Sequence, residues 1–216
     1  MSNFLKIKVC GIRDPANRLV LEELPIDLFG NIFYPPSPRC VGGMTEEVLL
    51  RLTATAKEKA AVFVNEEAGK VIKIAQKYEF THVQLHGNES PAYCREIRDA
   101  GFQVIKTFHI VPGFSFETME PYAGTVRFFL FDTGSGHWGG SGQKFDWNLV
   151  NSYRMEEPFF LSGGLRPGDE EVIAGITHPA FYGIDLNSGF EDAPGLKNRG
   201  LLDVFLRNFL KIKNIK

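Results

Sequence analysis

Short apolar segments rich in β-branched and aromatic residues recur along the chain, and longer segments of mixed polarity separate them. Runs of this length, bounded by glycine, proline and acidic residues, are typical of buried strands. The pattern predicts eight strands, at residues 6–10, 27–33, 60–64, 80–85, 103–108, 126–132, 158–161 and 181–185.

The segments between these strands carry helix signals. Asp14-Pro15 and Ser90-Pro91 each place a capping side chain before a proline, Thr45 can cap another helix, and Gly101 is a C-terminal stop. The predicted helices lie at residues 14–24, 45–55, 67–78, 90–101, 146–153 and 197–210, with a further one opening at 166–167 and a weak one at 112–122.

Alternation of strands and helices predicts a parallel sheet in an α/β protein. The run Phe128-Phe129-Leu130-Phe131 is apolar at consecutive positions, as expected for a strand covered on both faces. Eight units without a linker favour one closed (β/α)8 TIM barrel over residues 1–216, compact for a fold that typically needs ~250 residues. An open, doubly wound sheet is the alternative.

Composition narrows the class of protein. The chain has 216 residues, 44% hydrophobic and 23% charged, with a formal net charge of -2. It contains no basic run that would predict nucleic-acid binding and no apolar stretch of the ~20 residues that span a membrane. Three separated cysteines form no C-x-x-C pair, and the histidines show no metal-ligand spacing, so we predict no metal site. The N-terminus lacks signal-peptide features, which favours a cytoplasmic protein.

Reactive side chains follow several predicted strands, where barrel enzymes carry their active sites. Cys10 ends the first strand; it is either a small core residue or, near positive charge, a thiolate that acts as nucleophile or base. Asp132 ends the sixth; it is either a loop-fixing carboxylate or an acid whose pKa burial raises. Arg39, in a proline-rich loop, is either a solvated charge or a partner for a substrate carboxylate.

Glycine-rich turns follow the last two predicted strands. Gly163 and Gly164 precede a helix, and Ser188 and Gly189 follow Asp185. Loops in these two places frequently bind phosphate through backbone N–H groups in this fold. The glycine-rich segment at 139–142 is either a lid or a plain connection.

Gln84 and His86 alternate on the fourth strand, so we expect both side chains to point into the barrel. His86 is either a hydrogen-bonded core residue or a catalytic group.

Taken in order, these segments resemble the phosphoribosylanthranilate isomerase family of tryptophan biosynthesis. Any one match is short, but the ordered set covers nearly the whole chain and is highly specific. The matching segments are KVCGI (8–12), SPR (37–39), VQLHG (83–87), FDT (131–133), GGSG (139–142), FDW (145–147), LSGGL (161–165), GIDLNSG (183–189) and PGLK (194–197).

The resemblance implies a TIM barrel without a cofactor that catalyses an Amadori rearrangement. It implies that Asp132 is the general acid on the furanose ring oxygen and that Cys10 is the general base on C2 of the sugar. Arg39 is then expected to hold the anthranilate end, and the two glycine-rich turns the phosphate. Gln84, His86 and Asp185 complete the expected substrate contacts, in a monomer or weak homodimer.

The chain departs from the family pattern at Arg13 and Asn31, which affects substrate positioning more than the class of reaction. Three alternative functions fit these residues less well. The related isomerase of histidine biosynthesis uses two aspartates, which Cys10 disfavours, and indoleglycerol-phosphate synthase needs a lysine and glutamate set that the strands lack. A catalytically silent phosphate-binding barrel would have no reason to keep Cys10 and Asp132.

Overall fold

The computed structural model describes residues 5–133 and 146–214, and its main feature is a closed barrel of eight parallel strands. Each strand pairs with the next in chain order, and β8 closes the ring on β1. The predicted barrel is therefore confirmed, and the open sheet is wrong. The strands are β1 Lys6–Cys10, β2 Leu28–Ile32, β3 Glu58–Phe63, β4 His82–Leu85, β5 Gln103–Ile110, β6 Phe128–Thr133, β7 Phe159–Leu161 and β8 Phe181–Leu186.

Apolar side chains fill the inside of the barrel below its C-terminal edge. This inner layer is fully buried and comes from alternate positions of several strands, namely Leu28, Ala60, Ile105, Phe128, Leu130 and Phe160. The residues between them point outward into a larger core against the helices, as Phe129 and Phe131 do. Since side chains alternate across a strand, this packing explains why β6 is apolar at consecutive positions.

In the part of the chain that the structure describes, six α-helices surround the barrel, with side-chain caps where the sequence predicts them. The Asp14 carboxylate accepts a hydrogen bond from the Asn17 N–H at 2.6 Å, and the Ser90 hydroxyl accepts one from the Tyr93 N–H at 3.2 Å. No helix in the described ranges is long and apolar enough to cross a membrane. The helices are α1 Pro15–Leu21, α2 Glu46–Thr53, α3 Ala68–Lys77, α4 Pro91–Asp99, α5 Glu170–Ala174 and α6 Arg199–Asn214.

Two of the predicted helices are tighter 3-10 segments, at Phe116–Tyr122 and Trp147–Ser152. The helix expected to open at 166–167 begins only at Glu170, after Gly168 at a φ of +98°. The last helix begins at Arg199 rather than at residue 197. Lys197 belongs instead to a two-stranded antiparallel hairpin that the sequence analysis missed, formed by β9 Glu191–Ala193 and β10 Leu196–Lys197.

The two residues that depart from the family pattern lie outside the barrel interior. Asn31 is buried on the outer face of β2, where its amide donates to the Ile12 carbonyl at 2.8 Å. Arg13 is exposed and donates to the Pro38 carbonyl at 3.3 Å. Asn31 therefore fixes the loop after β1 and faces the helix layer. The predicted lid at 139–142 lies outside the described residues.

Candidate active site

A pocket opens at the C-terminal ends of the strands, above the inner apolar layer. It collects side chains that are far apart in sequence because parallel strands deliver their ends to one edge. All but one of the predicted site residues line it: Cys10, Arg39, Gln84, His86, Asp132, Gly163, Gly164, Asp185 and Ser188.

Gly189 is the exception. A Cβ on this residue would lie 2.1 Å from the Leu165 carbonyl oxygen. Such a distance is far below any van der Waals contact, so the absence of a side chain allows the loops after β7 and β8 to pack together. In this structure Gly189 shapes the pocket indirectly.

Cys10 lies at the end of β1 with its side chain inside the barrel, where it is 3% exposed. Gly30 on the neighbouring strand makes room for the thiol, because a Cβ there would lie 2.7 Å from Sγ and 3.1 Å from the Cys10 Cα. Burial raises the pKa of the Cys10 thiol, while the charges of Lys8 and Lys197 lower it. The apolar surroundings of the thiol therefore favour its neutral form, and the nearby cations favour the thiolate.

These contacts predict that Gly30→Ala lowers kcat/KM on the order of 10- to 100-fold, because the new methyl group must displace the thiol. The matched control is Gly43→Ala, whose added methyl group would meet nothing within 4 Å. Steady-state kinetics of both variants check the expectation. Equal activity of Gly30→Ala and Gly43→Ala would show that the position of the Cys10 thiol does not limit the reaction.

Lys8 and Asp185 form a buried ion pair on the floor of the pocket. They are register partners on β1 and β8, and the Lys8 Nζ lies 2.6 Å from the Asp185 Oδ2. Burial raises the pKa of the Asp185 carboxyl, and Lys8 opposes that rise. The second oxygen, Oδ1, is buried and has no hydrogen-bond partner in the described part of the chain. It is therefore available to a hydroxyl group of a ligand.

Asp132 stands across the pocket at the end of β6. Its Oδ1 accepts a hydrogen bond from the Thr133 N–H at 2.8 Å, and its Oδ2 lies 3.5 Å from the His86 Nε2. Burial raises the pKa of the Asp132 carboxyl to about 6, although the hydrogen bond from Thr133 partly opposes this. A carboxyl group with this pKa carries a proton far more often at neutral pH than an exposed aspartate does.

His86 is held beside Asp132 by Gln84, whose Nε2 lies 3.0 Å from the His86 Nδ1. Burial lowers the pKa of His86 well below its ordinary value, with His109 adding to the effect, so the ring is neutral at pH 7. His109 is the register partner of Asp132 on β5. Donor atoms of His86, His109 and Asp132 lie within 4.8 Å of one another, so this cluster could hold a metal ion. The sequence spacing gave no sign of this cluster.

A second ion-pair network lies at the rim, around Glu191 of the hairpin. Arg39 donates from Nε to both Glu191 oxygens at 2.9 and 3.0 Å, and from Nη2 to Oε2 at 2.6 Å. Lys197 donates to Glu191 at 2.6 Å and to the Asn187 Oδ1 at 2.7 Å. One edge of the Arg39 guanidinium, formed by Nε and Nη2, is thereby fixed, and this fixation directs its remaining N–H groups. Sequence reasoning found Arg39 but missed Glu191, the carboxylate that Arg39 and Lys197 share.

The turn after β7 has the backbone conformation that a phosphate cradle requires. Gly163 and Gly164 have φ values of +85° and +69°, a region that L side chains rarely adopt. A Cβ on Gly163 would lie 2.5 Å from the Thr133 backbone nitrogen and 3.0 Å from the Asp132 Oδ1. Within the described residues neither glycine donates its backbone N–H to another group. These N–H groups can therefore bind an anion.

Comparison with known proteins agrees with this geometry. Residues 7–208 match the family model described as N-(5'-phosphoribosyl)anthranilate (PRA) isomerase. The chain is similar to a curated N-(5'-phosphoribosyl)anthranilate isomerase of Parabacteroides distasonis, with 43% identity over 205 residues, 94% of this chain and 93% of the relative.

Two solved structures extend the similarity to the fold. The phosphoribosyl anthranilate isomerase of Thermotoga maritima has a TM-score of 0.78 and 31% identity, covering 96% of this chain and all of the other. Another phosphoribosyl anthranilate isomerase was solved in complex with reduced 1-(o-carboxyphenylamino)-1-deoxyribulose 5-phosphate. It has a TM-score of 0.76 and 29% identity, with 96% and 100% coverage.

Proposed function

Since the chain belongs to the N-(5'-phosphoribosyl)anthranilate isomerase family, we propose that Cys10 and Asp132 are the base and the acid with which it carries out that isomerisation. The reaction is an aldose–ketose rearrangement that converts the cyclic N-glycoside into an open-chain aminoketose. The observation that carries the assignment is that Cys10 and Asp132, from the ends of the non-adjacent strands β1 and β6, line the same pocket.

Asp132 acts first. Its carboxylic acid gives a proton to the furanose ring oxygen, the bond between C1 and that oxygen breaks, and the nitrogen lone pair forms a C=N double bond to C1. The raised pKa of Asp132, about 6, keeps a useful fraction of the group protonated near neutral pH. The Thr133 N–H then stabilises the carboxylate that remains.

Cys10 acts second. Its thiolate takes the proton from C2, the electron pair forms the C1=C2 double bond, and the C=N electrons return to nitrogen. The enolamine then tautomerises to the ketone, with a proton added at C1 and one lost from the C2 hydroxyl. The partnerless Oδ1 of Asp185 can accept a hydrogen bond from a sugar hydroxyl during these steps.

The two ends of the substrate are assigned to parts of the pocket by the negative charges that they carry. Arg39, fixed by Glu191, presents its remaining N–H groups to the anthranilate carboxylate. The backbone N–H groups of Gly163 and Gly164, together with the turn at Ser188, receive the phosphate. The ligand in the related complex carries both a carboxyphenyl group and a phosphate, which supports these two ends of the site. Gln84 orients His86 against the reacting sugar.

A fluorescence assay of phosphoribosylanthranilate consumption tests the proposal directly. The wild-type protein is expected to consume this substrate in the absence of any added cofactor or metal and in the presence of a chelator. The imidazole-containing substrate of the related histidine-pathway isomerase is assayed in parallel. A protein that turns over only the histidine-pathway substrate, or neither substrate, would overturn the assignment.

We keep three further expectations as part of the proposal: a monomer or weak homodimer, no cofactor, and a cytoplasmic location. The exposed large apolar side chains on the helices are divided among α1, α2, α5 and α6. Sedimentation velocity at several protein concentrations measures the state directly.

A further inference from the structure

The charged groups around the Cys10 thiol do not balance. Lys8, Asp185 and Lys197 are the charged groups that act on it, from β1, β8 and β10. Lys8 and Asp185 lie 2.6 Å apart and act on the pKa of the Cys10 thiol in opposite directions, Lys8 lowering it and Asp185 raising it. Lys197 is a further cation that acts on the thiol in the same direction as Lys8.

Lys197 belongs to a group of three charged side chains, two cations and one anion, in which Lys197 and Glu191 are buried and Arg39 is partly exposed. The Glu191 carboxylate is shared by Arg39 and Lys197, each of which lies 2.6 Å from one of its oxygens. The Lys197 and Glu191 side chains are 0% and 4% exposed, so water does little to screen them. The group carries one positive charge in excess of its negative charge.

The Lys197 ammonium is also held next to the backbone that carries Cys10. It donates to the Asn187 Oδ1 at 2.7 Å, and that oxygen would lie 2.7 Å from a Cβ on Gly11, the residue after Cys10. Burial lowers the pKa of Lys197 to about 8, so the side chain is still charged at pH 7. An unbalanced buried cation is costly unless an anion accompanies it.

We propose that Lys197 is a positioning residue for the reaction, supplying positive charge that favours the thiolate form of Cys10 against the effect of burial. When the thiolate forms, it is the anion that offsets the excess positive charge of Arg39, Glu191 and Lys197. The inference rests on the proposed function, in which Cys10 takes up a proton, and it adds the residue that prepares Cys10 for that step.

The test is a titration of the Cys10 thiolate by its absorbance near 240 nm, with Cys10→Ser subtracted as the blank. In Lys197→Met the midpoint is expected to rise by about one pH unit, a tenfold loss of thiolate below the midpoint. Glu191 keeps its three bonds to Arg39 in this variant, so the loss is confined to one charge. We expect kcat/KM at pH 7 to fall by about tenfold as well, with the difference closing above the midpoint of the variant.

Two further variants separate charge from packing. Lys197→Arg keeps the charge and is expected to restore most of the titration. Lys59→Met removes another buried lysine, one that donates to the Thr53 and Tyr78 carbonyls outside the pocket, and it should leave the Cys10 midpoint unchanged. Glu191→Gln removes the anion and is expected to move the midpoint downward, opposite to Lys197→Met.

An unchanged Cys10 midpoint in Lys197→Met, or an upward shift in Glu191→Gln, would overturn the inference. Glu191→Gln alone decides the matter if circular dichroism shows that Lys197→Met does not fold. The outcome for Cys10 as a base is read separately: an active Cys10→Ser variant would refute the proposed base, whereas the titration shift would still establish what Lys197 does.

Discussion

Cys10→Ser lowers kcat of the isomerisation on the order of 10²-fold or more, because the hydroxyl group that replaces the thiol is not ionised at neutral pH. The change is nearly isosteric, so the pocket and its substrate contacts remain and KM is expected to change little. Steady-state fluorescence kinetics at saturating substrate measure the loss. Gly30, which makes room for the thiol, accommodates the smaller oxygen without strain.

The matched control for this variant is Cys94→Ser. Cys94 is equally buried but lies on α4 in the outer core, away from the pocket. It should keep the wild-type kcat while losing a similar amount of stability from the buried hydroxyl. If both serine variants lose the same fraction of their activity, the loss is a packing effect and Cys10 is not the base.

Asp132→Asn is expected to lower kcat on the order of 10²-fold or more, since an amide cannot donate the proton to the ring oxygen. The same variant should be more stable than wild type at pH 8. Because the pKa of Asp132 is raised, the stability that this carboxyl contributes is fully present below its unfolded pKa, near 3.8, and is lost progressively as the pH rises through about 6. The Asp132→Asn variant has no carboxyl group at this position and so avoids this loss of unfolding free energy, which amounts to at most about 3 kcal/mol in the wild type.

Chemical denaturation at pH 4 and pH 8 measures both stabilities. The free energies of unfolding of wild type and Asp132→Asn should nearly coincide at pH 4 and separate at pH 8. Asp99→Asn, an exposed carboxylate on α4, is the control and should match wild type at both pH values. An Asp132→Asn variant that is inactive but no more stable at pH 8 would mean that burial does not raise the pKa of this carboxyl.

Most of the barrel could be predicted because its signals are local. Alternating apolar runs gave all eight strands to within a few residues, and Asp14 and Ser90 cap helices where expected. The wrong or missing elements lie where backbone conformation, and not the apolar pattern, determines the structure. Gly168, at positive φ, delays α5 until Glu170, and the hairpin at 191–197 is too short to show a period.

The candidate site was predictable only in part, for a different reason. Strand ends and the family resemblance indicated Cys10 and Asp132, whose residue types suggest chemistry on their own. Lys8, Glu191 and Lys197 are ordinary surface residue types, and only the closed fold buries them against one another. His109 likewise acquires its neighbours from the register of β5 against β6. Pairings across such long sequence separations leave no periodic signal.

The hairpin that carries Lys197 is tied to the start of the chain. The Asn17 side chain on α1 donates to the Lys197 carbonyl at 2.8 Å and accepts from its N–H at 2.9 Å, across 180 residues of sequence. Such non-local contacts form late, since they require closure of nearly the whole chain. During synthesis, the surroundings of Cys10 are therefore complete only after residues 191–197 have been made and have docked against α1.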